Sequence, residues 1–192
     1  MIPSRWPLAR QALAHGAVFA LLVFGAIFLA DREQAGSAGA SLYFAGSLAF
    51  LIGLALSHIL HEWGHFFGAT LGGARLTVRR KISPLFFDFE FPANTPGQFL
   101  LMSVGGLSGN LLLLSYLSLC IDLPGLVLTA IRAAVLGQLV FVVILELPVS
   151  LRVLAGQEPL DALTEHFSQG APLFLRALLA GVATAALVIL IR

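Results

Sequence analysis

Two histidines four residues apart, with a glutamate directly after the first, are the part of this chain best equipped for chemistry: His61-Glu62-Trp63-Gly64-His65. On a helix, positions i and i+4 share a face one turn apart, so both imidazoles can reach one metal ion. Glu62 sits beside the first of them, placed to take a proton from water. Zinc lowers the pKa of the water it holds from about 15.7 toward 7, which makes hydroxide available at neutral pH. The pattern is H-E-x-x-H, two ligands and a general base. The segment around it is otherwise rich in Leu, Phe and Gly. An ionisable side chain there is costly and is a functional candidate for that reason. The plainer alternative is a pair of histidines that only bond to neighbouring helices. His58 lies on the same helical face, three residues before His61. Three successive turns of a straight helix do not converge on one tetrahedral ion, the outer two being about 10 Å apart. His58 is therefore expected to be hydrogen-bonded or water-facing rather than a ligand.

The elements that carry these residues are apolar throughout. Of 192 residues, 58% are hydrophobic and 11% charged, against roughly 45–50% and about 25% in an average soluble domain. Five apolar segments emerge, at about 11–30, 41–71, 98–120, 124–151 and 172–191, each long enough to cross a bilayer as a helix. The first is preceded by Arg5 and Arg10, as in a signal peptide. Its 20 uncharged residues, 11 to 30, exceed the roughly 7–15 of a signal peptide's apolar region, so a retained span is expected. Between the second and third spans, Leu76-Thr77-Val78 and Leu85 to Phe91 alternate in a strand-like way and are punctuated by Pro84, Pro92 and Pro96. Two readings stand for this stretch: a small hairpin at the membrane surface, or an interfacial loop anchored by its phenylalanines. The fold class is thus all-α integral membrane, a single polytopic domain over 1–192 with about five transmembrane helices and a small surface hairpin between the second and third.

Charge gives the orientation. With a cytoplasmic N-terminus, Arg5, Arg10, Arg75, Arg79, Arg80, Lys81, Arg152 and Arg176 fall on or near the cytoplasmic side, and Arg32 and Arg192 outside, with Arg132 inside the fourth segment. The net charge of +1 and the short basic patch 79–81 give no footprint for nucleic acid. The single Cys120 precludes an internal disulfide and implies no thiol chemistry. The partners expected are the lipid bilayer and a membrane-protein substrate.

Three stretches resemble the site-2 protease family of intramembrane zinc metalloproteases. Leu60 to His65 resembles its zinc helix. Arg75 to Phe91, followed by Pro92 to Gln98, resembles its surface hairpin and the approach to the next helix. Gly105-Gly106-Leu107-Ser108-Gly109-Asn110 resembles its G-P-x-x-N motif. The resemblance implies zinc held within the membrane near the cytoplasmic side and cleavage of transmembrane substrates; a bacterial inner membrane is the expected residence, with the cytoplasmic N-terminus that the charge bias gives. It also implies that Asn110 positions substrate or donates to the oxyanion; an interhelical hydrogen bond is the other role open to Asn110. The family's third ligand is an aspartate in an L-D-G motif, which this chain lacks. Leu145-Glu146-Leu147-Pro148 and Pro159-Leu160-Asp161-Ala162 are the available departures.

Depth favours Glu146 as the third ligand. His61 and His65 lie roughly 9–15 Å from the cytoplasmic end of their helix, and Glu146 follows thirteen uncharged residues, 133 to 145, at comparable depth. Pro148 removes a backbone donor and is expected to open the helix so that Glu146 swings toward the metal. Asp161 is the alternative ligand; otherwise it caps a short helix over 163–168. Asp88, Glu90 and Asp122 trail both. Arg132, about 21 Å away along the helix, is a poor ion-pair partner for Glu146.

Three functions compete. An intramembrane zinc endopeptidase uses Glu62, His61, His65 and Glu146 together. A non-enzymatic scaffold that binds a partner helix or a metal has no need of Glu62. A metal transporter needs a file of polar residues, and only Arg132, Gln138 and Glu146 stand on the fourth segment, at scattered depths.

Overall fold

A computed structural model describes residues 5–36, 38–122 and 124–191. Long uncharged runs become helices because a helix satisfies its own backbone polar groups where no water is at hand. The helices are α1 (Arg5–Gln34), α2 (Ala40–Leu71), α3 (Pro96–Leu119), α4 (Leu126–Leu154), α5 (Pro159–Phe167) and α6 (Ala171–Leu190). Five of them, all but α5, are long and apolar enough to cross a membrane. Their outer faces present Leu21, Phe24, Phe44, Leu112 and Leu179 without cover, each more than half exposed. This is a multi-pass membrane protein whose apolar exterior meets lipid.

The helices outrun the apolar segments that announce them. α1 starts at Arg5 rather than 11 and α4 ends at Leu154 rather than 151, because a helix continues into the interface wherever its ends find partners. At the far end of the bundle, charged side chains satisfy two other helix ends. The Glu33 carboxylate accepts from the Leu126 and Val127 amides at the start of α4. Arg132 donates to the Leu117 and Ile121 carbonyls at the end of α3. Both charges lie at the helix terminus whose dipole they suit. Arg192, counted above for orientation, lies outside the described residues.

α2 is the hub. It packs extensively on α3 and on α4, and α4 in turn on α6. The α2–α3 crossing is close because glycines meet there: a Cβ on Gly64 would overlap the Gly105 carbonyl, and one on Gly105 would overlap that of Gly64.

The stretch between α2 and α3 is a hairpin. β1 (Leu76–Val78) pairs antiparallel with β2 (Phe87–Phe89), with Leu76 opposite Phe89 and Val78 opposite Phe87. Its apolar face docks on α2. Phe86 is fully buried, with its ring 4.5 Å from that of Trp63 and 5.3 Å from that of Phe66. α1 holds the same hairpin through a buried polar clasp. The Gln11 amide donates to the Arg79 and Lys81 carbonyls and accepts from the Ser83 amide. His15 bonds the Ser83 carbonyl through Nε2 and accepts from Trp63 Nε1 at Nδ1. A Thr95–Gln98 capping box starts α3, and Gln98 also donates to the Gly72 and Gly73 carbonyls that end α2. Hairpin and α5 share one end of the bundle, Phe89 and Phe91 packing into the same cluster as Ala162 and Leu163.

Candidate metal centre

The hairpin and the α2–α3 glycines lock α2 in the place where its histidines meet α4. His61 Nε2 lies 2.9 Å from Glu146 Oε1, His65 Nε2 lies 2.9 Å from His61 Nε2, and His65 Nε2 lies 3.4 Å from Glu146 Oε1. The three ligand atoms all fall within 4.8 Å of one another, in a setting that is buried or half-buried. Two ligands about 2.0–2.1 Å from a tetrahedral ion are themselves about 3.3 Å apart, so the triangle has nearly the size zinc requires.

Other observations bear on whether a divalent ion fits. His65 Nδ1 is 2.9 Å from the Met102 carbonyl. A carbonyl only accepts, so Nδ1 donates there and Nε2 is the nitrogen turned toward Glu146. The two Nε2 atoms face each other at hydrogen-bond distance, which excludes a proton on both at once. The Glu146 carboxylate therefore faces two imidazoles that cannot both be cations, and its Oε2 is buried without a protein partner. One imidazolium would offset this half-buried carboxylate, and so would a divalent cation held by two neutral imidazoles, for which the facing Nε2 atoms and the carboxylate oxygen are already turned together. The donor set, two nitrogens and one carboxylate oxygen, is one that zinc accepts.

The surroundings explain the aim of these side chains. The His65 ring occupies the space that a Cβ on Gly106 would need. Gly106 is thus the seat of the ring, a role that the sequence signalled only as one small residue among several. Glu146 reaches the group from an unbroken helix: Pro148 lies inside α4 without ending it. Glu146 meets the histidines where α4 packs directly on α2.

The remaining predicted residues separate. Asp161 is exposed in the first turn of α5 and is not part of the cluster. Its helix begins at Pro159 rather than 163, and the residue at the cap position is Glu158, so Asp161 does not cap it. Asp88 is engaged by Arg79 and Glu90 by Thr77, both in the hairpin. Asn110 is fully buried. Its Oδ1 accepts from Ser57 Oγ at 3.3 Å, an α2–α3 hydrogen bond, and its Nδ2 has no protein partner. Ser57 was not singled out by the sequence, where a serine among apolar residues carries no distinguishing signal. His58 is not part of the cluster.

Glu62 is buried beside His61, and both open with Glu146 onto a cavity of about 660 Å3 between α2, α4 and α6. α2 and α6 both pack on α4 but scarcely on each other, which leaves a groove with α4 as its floor. α4 and α6 close tightly at Gly137 and Gly181. The groove is lined mainly by Leu, Phe, Val and Ala, with His58, Gln138 and the cluster as its polar features.

Comparison with protein-family models, with curated proteins and with solved structures finds no match for the chain.

Proposed function

We propose that the chain is an intramembrane zinc endopeptidase of the kind the site-2 protease resemblance implies, hydrolysing peptide bonds of membrane-embedded protein substrates. The observation that carries this reading is the convergence of His61, His65 and Glu146 from two helices, with Glu62 beside them at the head of an apolar groove. His61, His65 and Glu146 would hold the metal. Zinc, when bound, supplies Lewis acidity, making water a nucleophile at neutral pH and drawing charge from a carbonyl. Glu62 takes the proton from the attacking water and passes it to the leaving amine. Met102 holds the His65 ring, so one corner of the site is fixed before substrate arrives. The apolar groove accepts a substrate chain whose own side chains are apolar.

A scaffold that only binds metal or a partner helix would have no use for an acid at position 62. The decisive comparison is Glu62→Gln, which preserves size and removes the base. The variant should keep about one zinc per chain and lose all cleavage of a membrane substrate. Equal processing by both proteins would leave the scaffold reading standing in place of this one. The membrane is proposed to be a bacterial inner membrane, with the hairpin and α5 at its cytoplasmic face.

A further inference from the structure

His58 is the polar side chain in the groove that neither the proposed metal group nor the fold employs. It lines the cavity together with His61, Glu62 and Glu146. Among the described residues no protein group hydrogen-bonds its ring. The nearby Gln138 is already spent: with its nitrogen toward the Leu54 carbonyl at 2.8 Å, its oxygen accepts from the His58 backbone amide at 3.3 Å. An imidazole facing an apolar groove at membrane depth forgoes its hydrogen bonds unless the occupant of the groove supplies them.

The position of the ring sets where that partner must lie. His58 precedes His61 by three residues and His65 by seven, about 4.5 Å and about 10.5 Å along the helix axis. A cleavable segment lies extended, since helical carbonyls are hydrogen-bonded and shielded, and an extended chain advances about 3.3 Å per residue. The spacing from the metal group therefore corresponds to roughly one to three substrate residues.

We infer that His58 reads a hydrogen-bonding side chain, such as an amide or hydroxyl, roughly one to three residues from the scissile bond of an otherwise apolar segment lying in the α2–α6 groove. The substrate class is then a single membrane span interrupted by one polar residue, selected over an uninterrupted apolar span. This rests on the proteolytic reading for the term "scissile", but the selection itself is a binding preference.

The experiment uses the full chain carrying Glu62→Gln in detergent, with synthetic single-span peptides of Leu and Ala. One asparagine is moved along the peptide, and affinity is read by fluorescence anisotropy against the uninterrupted peptide. A window of a few positions should bind about three- to tenfold tighter, the worth of one neutral hydrogen bond. Adding His58→Leu should flatten the profile and His58→Gln should restore it, with thermal unfolding confirming that both variants are folded. A flat profile with His58 present, or the same window with His58→Leu, overturns the inference. Cleavage by the chain with Glu62 intact is scored separately. A protein that prefers the polar peptide but never cuts it retains this inference and loses the protease reading. One that cuts without preference does the opposite.

Discussion

At the scale of single residues, the site depends on which nitrogen each imidazole offers. The Met102 carbonyl accepts a hydrogen bond from His65 Nδ1, which leaves Nε2 as the nitrogen that can meet a cation. His61→Ala, His65→Ala and Glu146→Gln each remove one of three converging ligands, so zinc content should fall from about one per chain to near zero. Asp161→Asn loses only a favourable charge near the start of α5, about 0.3–1 kcal/mol, and should keep its metal. Metal analysis of the four purified variants checks this; zinc lost with Asp161→Asn and kept with Glu146→Gln would reassign the third ligand. Gly106→Ala tests the seat of the His65 ring. Its new methyl competes with that ring for space, and zinc affinity should fall about 10- to 100-fold, the usual loss when the support of a ligand is disturbed.

At the scale of elements, α2 must hold its place against α3, and glycine allows it. Gly105→Ala puts a methyl against the Gly64 carbonyl. Backbone cannot yield as a side chain would, so the cost should be about 1–3 kcal/mol or more, read as a lowered unfolding temperature in detergent. The hairpin makes a different demand, because its Arg79–Asp88 pair is largely exposed. The guanidinium hydrogen bonds of Arg79 hold the Asp88 carboxyl below its ordinary value. The contribution of the pair is therefore fully present above the unfolded carboxylate pKa of about 3.9 and is lost as pH falls through the lower folded value. Hydrogen exchange of the Arg79 amide, bonded to the Phe86 carbonyl, should be steady in protection from neutral pH to about pH 5 and weaken only below about pH 4. Asp88→Asn should remove that acid step.

At the scale of the whole molecule, five spans and one short surface helix put the hairpin and α5 at the same end. Reporter fusions near Arg79 and near Gln157 should therefore report one compartment, and a fusion near Gly36 the other. Opposite signals from Arg79 and Gln157 would mean that α4 does not span as drawn. The charge bias predicts that the shared compartment is the cytoplasm. The same architecture weakens the transporter reading. Arg132 is committed to the end of α3 and Gln138 to the backbone of α2, so the polar residues of α4 form no file across the membrane.

What the sequence determined by itself was everything governed by local periodicity and solvent: five spans and the pairing of His61 with His65 by helical spacing, while between hairpin and interfacial loop for the stretch after α2 only the structure decided. Those follow from backbone satisfaction in lipid and from 3.6 residues per turn, which act along the chain. Depth counting also brought Glu146 to the right level, because rise per residue is constant along a helix. It could not say which face of α4 turns toward α2. Nor could it find Gly106 under His65, Ser57 on Asn110, or the clasp of Gln11 and His15 on the hairpin, each joining residues 41 to 72 positions apart. Helix rotation and crossing are decided by close packing between elements, glycine against carbonyl and ring against glycine. That contact energy is defined only once the helices are side by side.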